Sequence, residues 1–111
     1  MDKTKERVEE MQEIQKEALN LFARKNRDYG DAFAEYGPVG VIVRMGDKIK
    51  RLVSISSSGV SLVDNESLRD TLIDLHNYAA MAIMTIDDSC QKENETLLNQ
   101  SLQFNSIGEG I

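Results

Sequence analysis

The sequence predicts an all-α fold: an antiparallel helical bundle of three main helices plus a short C-terminal helix, completed by oligomerisation. Three observations carry this reading. Apolar residues recur at spacings of three and four along most of the chain, the period of a helix with one buried face. Aromatics make up only 5% of the residues and tryptophan is absent, so a core must come from Leu, Ile, Val, Met and Ala, which suit packed helices. The single proline, Pro38, stands where a helix can begin, since a missing N–H costs nothing in the first turn.

The first helix is expected from Thr4 to about Lys25, with Val8, Met11, Ile14, Ala18, Leu21 and Phe22 on its apolar face. Asn26 to Pro38 concentrates Gly, Asp and Asn around Tyr29, Phe33 and Tyr36 and reads as a long ordered loop. A second helix follows from Pro38 to about Ile55, with Ile42, Met45, Ile49 and Leu52 on one stripe and Arg44, Asp47, Lys48 and Arg51 on the opposite one. Ser56 to Val63 breaks the pattern as a connector.

Asp64 or Asn65 then caps a third helix reaching about Asp87, with Glu66 favourably placed at the positive end of its dipole. This helix is expected to bury Leu68, Leu72, Leu75, Ala79, Ala82 and Ile86. Beyond Ser89 the chain turns polar, with a short helix expected around Leu97 to Leu102 and then a frayed or partner-bound tail. The organisation is therefore one helical domain over residues 1–89 and a polar extension over 90–111.

The 111 residues suffice for one core and not for two. A net charge of -6 argues against a DNA or RNA duplex as partner, because such binding rests on phosphate neutralisation. Cys90 is the only cysteine, so an internal disulfide and a cysteine-rich metal site are excluded and a reducing, cytoplasmic compartment is expected. No apolar stretch approaches a membrane span, so no membrane partner is expected either.

The third helix is the most informative. At about 100° per residue, Glu66, Asp70, Asp74 and Asn77 share one narrow stripe. The plain reading is a solvated outer face. The run Tyr78 to Ile86, however, is apolar all round, which marks a helix buried on every side and sets the acids at the rim of a crevice. Clustered carboxylates there need a cation. Either a hard divalent ion such as Mg²⁺ fills that role, or Arg44, Lys48 and Arg51 neutralise them in an ion-pair network.

The basic stripe of the second helix can equally grip phosphate oxygens, Arg as a fork and Lys as a point charge. Asn26, Asp28, Tyr29 and Phe33 are residue types suited to reading and stacking a base, although Tyr29 could instead cover the helix ends. His76, the sole histidine, is expected to pack or to face solvent. Three helices cannot enclose a segment that is apolar all round, so a homodimer or larger homo-oligomer is expected.

Three blocks in order, KNRDYGDAF, YGPVGVIVRMGDKIKRL and ESLRDTLIDLHNYAAMAIM, make the chain resemble the nucleotide modification associated domain family of small phage and bacterial proteins. The resemblance spans about Lys25 to Met84 and implies a role in nucleotide metabolism, in the host cytoplasm if the protein is phage encoded. More remotely the arrangement is similar to the all-α nucleotide pyrophosphohydrolases, the MazG and dimeric dUTPase group. That likeness implies Mg²⁺ held by Glu66, Asp70 and Asp74, with Asn77 beside them. The sequence departs from that group in its second helix, which offers one acid, Asp47, in place of a Glu-x-x-Glu pair.

The leading expectation is thus Mg²⁺-dependent hydrolysis of a ribo- or deoxynucleoside triphosphate to monophosphate and pyrophosphate. In it Asp47 and Asp74 are catalytic, and Asp47, Glu66, Asp70 and Asp74 hold the metal. Lys25, Arg44, Lys48 and Arg51 bind phosphates, and Asn26, Asp28, Tyr29 and Asn77 complete the substrate contacts. The alternative is a non-catalytic nucleotide-binding protein, either one that sequesters a signalling nucleotide or an accessory subunit of a DNA-base modification enzyme. A third reading is a helical adaptor that binds no nucleotide.

Overall fold

The computed structural model describes the backbone of residues 1–58 and 66–109, with side chains described through residue 103. The expected cap at Asp64 or Asn65 and most of the expected connector lie outside the described residues. The described chain is all-α: α1 spans Thr4–Tyr29, α2 Ala32–Glu35, α3 Gly37–Ser57 and α4 Glu66–Glu109.

The segment expected as a long loop is largely helical. α1 runs on through Tyr29 and stops at Gly30, whose φ of 64° only glycine adopts readily. One turn, α2, follows, and α3 starts at Gly37, φ 68°, with Pro38 in its first turn. The Gly and Asp residues therefore punctuate two tight junctions rather than marking an extended loop. At its other end α3 continues through Ser56 and Ser57, whose hydroxyls turn back to the carbonyls of Leu52 and Val53.

α4 differs most from expectation. The short helix expected at Leu97 to Leu102 is the distal part of one unbroken helix from Glu66 to Glu109. No proline or glycine interrupts residues 87–107, and Gln, Lys, Glu and Leu there are helix formers. The residues from Asp87 to Gln103 are exposed, so the weak apolar patterning there reflects a helix with nothing packed on it.

α3 packs along the first half of α4 and α1 crosses it. The faces used are rotated from those that hydrophobicity predicts. On α3 the side turned inward is Val41, Met45, Lys48, Leu52 and Ile55, leaving Ile42 and Ile49 about half exposed. On α4 it is Ser67, Thr71, Asp74, Tyr78, Ala82 and Thr85, whereas Leu72 and Ile86, expected in the core, are exposed.

A polar inner face holds because its groups are satisfied. Thr71 and Thr85 donate to the carbonyls of Ser67 and Ala82, and no buried side-chain N or O lacks a partner among the described residues. Among the described residues the buried apolar set is small: Ala18, Val41, Ile73 and Ala82. No helix among the described residues is long and apolar enough to cross a membrane.

Candidate functional site

The rotation of α3 and α4 brings one charge from each inner face together. Lys48 on α3 and Lys25 near the end of α1 both donate to Asp74 on α4, at 3.3 and 3.2 Å, one lysine on each carboxylate oxygen. Asp74 and Lys48 are four-fifths and three-quarters shielded, while Lys25 stays half exposed. The Lys48 ammonium also lies 6.0 Å from the centre of the Tyr78 ring, one turn beyond Asp74, within reach of a cation–π attraction.

Lys25, Asp74 and Tyr78 line a cleft of about 510 Å³ between α1, α2, α3 and α4, and Lys48 reaches it through its pairing with Asp74. Its aromatic wall comes from the junctions after α1. Phe22 and Phe33 meet edge to face at 6.1 Å, and Tyr29, Tyr36 and Tyr78 also line the space. Tyr29 and Tyr36 remain largely exposed, so their rings are open to a ligand. Arg44 lines the same cleft.

Of the residues that the sequence nominates, Lys25, Asn26, Tyr29, Arg44, Asp74 and Asn77 line this cleft, and Lys48 joins it through Asp74. Besides the pairing of Lys25 and Lys48 with Asp74, two of them are engaged in hydrogen bonds. Asn26 donates its side-chain amide to Asp31 at 3.1 Å, bracing the Gly30 junction. Asn77 donates to the Ala18 carbonyl at 3.0 Å and so pins α1 to α4, with His76 beside its side-chain oxygen. Asp28 is exposed and outside the lining, and Arg51 donates to Ser67 at 3.0 Å, tying α3 to α4 away from the cleft.

Asp47, Glu66 and Asp70 are exposed and do not line the cleft. Among the described residues no group of three or more acids, histidines or cysteines is arranged to hold a metal ion. The one shielded acid, Asp74, has both oxygens committed to ammonium groups whose positive charge opposes a dication. Within one chain, the donor set does not fit Mg²⁺. The ion-pair alternative raised by the sequence applies to Lys48, joined by Lys25 in place of Arg44 and Arg51.

Phe33, which the sequence suggests for stacking, also lines the cleft, whereas Phe22, Tyr36, Gly40, Val41, Tyr78 and Met81 line it and are not among the residues the sequence nominates. Phe22 precedes Lys25 by one turn and Tyr78 follows Asp74 by one turn, so helical neighbours of the charged residues are the signal that could have found them.

Gly40 has a steric reason to be glycine. A Cβ there would meet the Tyr36 Cβ at 2.5 Å, whereas one at Gly46 would meet nothing within 4 Å. Gly46→Ala is expected to stabilise α3 by about 0.5–1 kcal/mol through helix propensity. Gly40→Ala is expected to be net destabilising by about 1 kcal/mol, because the clash offsets that gain and displaces Tyr36. Urea unfolding of the two variants, followed by circular dichroism, checks the opposite signs; equal stabilisation by both would contradict the packing at Tyr36.

Fold and site together define an all-helical domain with a lysine-paired carboxylate at the floor of an aromatic-walled cleft. The model of the Nucleotide modification associated domain 1 family matches residues 25–86, more than half of the chain, and the chain belongs to that family. The matched stretch begins at Lys25 and contains Lys48 and Asp74, so the whole triad falls inside it. No curated protein and no solved structure gives a significant match.

Proposed function

We propose that the cleft binds a phosphorylated nucleotide and holds it intact, so that the protein is a nucleotide-binding module and not a hydrolase. The observation that carries this reading is the convergence of Lys25 and Lys48 on the single carboxylate of Asp74 beneath an aromatic wall. Two ammonium groups around one carboxylate leave a local excess of positive charge, increased by Arg44 at the same cleft. A phosphate carries oxygens that satisfy both lysines, and Arg44 is suited to grip a second phosphate as a fork. Tyr29, Tyr36 and Phe33 supply faces and edges for a base. A volume of about 510 Å³ falls within the usual range for small-ligand sites.

Asp74 plays a specific part in this reading. In the free protein its carboxylate occupies the place of a phosphate and keeps the two lysines from repelling each other. A nucleotide phosphate has to displace it, so Asp74 lowers affinity for every anion by the same cost, and ligands with several phosphates offset that cost through Arg44. Family membership supports a nucleotide as the ligand class. Hydrolysis by the pyrophosphohydrolase route needs acids gathered around a metal, and Asp47, Glu66 and Asp70 stand apart from the cleft.

Equilibrium dialysis against ribo- and deoxynucleoside mono- and triphosphates, with and without a chelator, tests the reading. Saturable binding that is tighter for triphosphates, weakens with salt and is unchanged by chelation is the expected result. Binding that disappears with the chelator would overturn the metal-free site, and no binding by any nucleotide would overturn the ligand class.

A further inference from the structure

The outer face of α4 is apolar and bare. At about 100° per residue, Leu72, Ala79, Ile83 and Ile86 share an arc of about 60° on the side opposite Asp74 and Met81, and so opposite the cleft. Leu72, Ile83 and Ile86 are 48, 60 and 45% exposed. The whole chain is correspondingly open. Its accessible surface is 9067 Å², against roughly 6,200 Å² for a compact monomer of this mass. Its radius of gyration is 20.8 Å, against about 13 Å for a compact domain of this length.

We propose that a second copy of this chain covers this stripe, the two α4 helices crossing antiparallel at Ala79. The exposed stripe gives such a copy a continuous apolar surface to cover, while the solvated distal part of α4 contributes to the surplus without belonging to the contact. The stripe is also its own complement under a two-fold axis. Leu72 and Ile86 stand equally far on either side of Ala79, so Leu72 of one copy meets Ile86 of the other, and the small Ala79 side chains let the helices approach at the crossing.

Charge selects the same direction. Arg69 and Asp87 flank the stripe on one side, near its two ends. In an antiparallel pair that flank meets itself reversed, which sets Arg69 of one copy against Asp87 of the other; in a parallel pair it would face the opposite flank and this pairing would be lost. Arg69 pairs with Glu17 on α1 at 2.8 Å and stays more than half exposed, so its guanidinium keeps donors for a second acid. The interface is independent of what the cleft binds, since the two lie on opposite sides of α4.

Light scattering of the parent protein at micromolar concentration, together with oxidative cross-linking of Ala79→Cys in a Cys90→Ser background, tests the arrangement. The expected mass is twice that of the 12.5 kDa chain, and the variant is expected to form an intermolecular disulfide under mild oxidation, because a crossing at this residue brings its two Cα atoms within bridging distance. Ile83→Glu is expected to shift the mass toward the monomer; if that variant fails to fold, the cross-link still decides. A monomeric parent would overturn the proposal, as would a dimer whose Ala79→Cys variant stays reduced.

Discussion

Replacement of Asp74 by Asn is expected to tighten nucleoside triphosphate binding by about tenfold. The carboxylate competes with the ligand for Lys25 and Lys48, and each partly exposed ion pair that a phosphate must break is worth up to about 1 kcal/mol. Loss of two such pairs from the free state amounts to about 1.4 kcal/mol, or a factor of ten in Kd. The gain should be similar for mono- and triphosphates, because the two pairs removed from the free state are the same for every ligand that displaces Asp74. Titration calorimetry of parent and variant against mono- and triphosphates measures both effects. If Asp74 were instead a metal ligand for catalysis, the same substitution would weaken or abolish function, so the sign of the change separates the two accounts.

The second large effect is expected from Lys25→Ala combined with Lys48→Ala. Charge-assisted hydrogen bonds to phosphate are worth roughly 1.5–3 kcal/mol each, so the double variant should lose binding by about a hundredfold or more. Its residual binding should depend less on salt and distinguish triphosphate from monophosphate less sharply, since only Arg44 and the aromatic wall would remain. Folding should survive. Lys25 is half exposed, and Lys48 contributes mainly its pairing with Asp74 and its approach to Tyr78. A double variant that binds as tightly as the parent would place the phosphate elsewhere, with Arg44 the first residue to examine.

Much of this molecule is legible in the sequence. The three long helices, Pro38 in the first turn of α3 and the grouping of Lys25, Tyr29, Arg44, Lys48 and Asp74 all follow from period and residue type. The rotation of the helix faces does not. Hydrophobicity places Leu72 and Ile86 in the core and sets Asp74 at the rim of a crevice, because an apolar stripe is taken as the inner face and polar residues are not expected on it. In the folded chain Asp74, Asn77 and Thr71 face inward, where lysines and carbonyls satisfy them. Leu72, Ile83 and Ile86 face outward instead, and the proposed two-fold contact accounts for their position.

Helix continuity is hidden for related reasons. Asn26 to Tyr29 has loop composition, yet it completes α1 because Gly30 supplies the break and Asp31 takes the Asn26 amide. The distal part of α4 has no apolar face to reveal its period, yet nothing in its sequence stops the helix either. Spacing along the helices groups Asp47, Glu66 and Asp70 with Asp74. It cannot distinguish an acid that faces two lysines across a cleft from one that faces water, and only Asp74 faces the lysines.

Phosphorus NMR of the protein with Mg²⁺ and a panel of ribo- and deoxynucleoside triphosphates tests the central claim most directly. The account predicts that at least one nucleotide shows shifted or broadened phosphate resonances and is recovered unchanged after prolonged incubation. Appearance of monophosphate and pyrophosphate with the parent protein, and not with Asp74→Asn, would contradict it and establish a hydrolase.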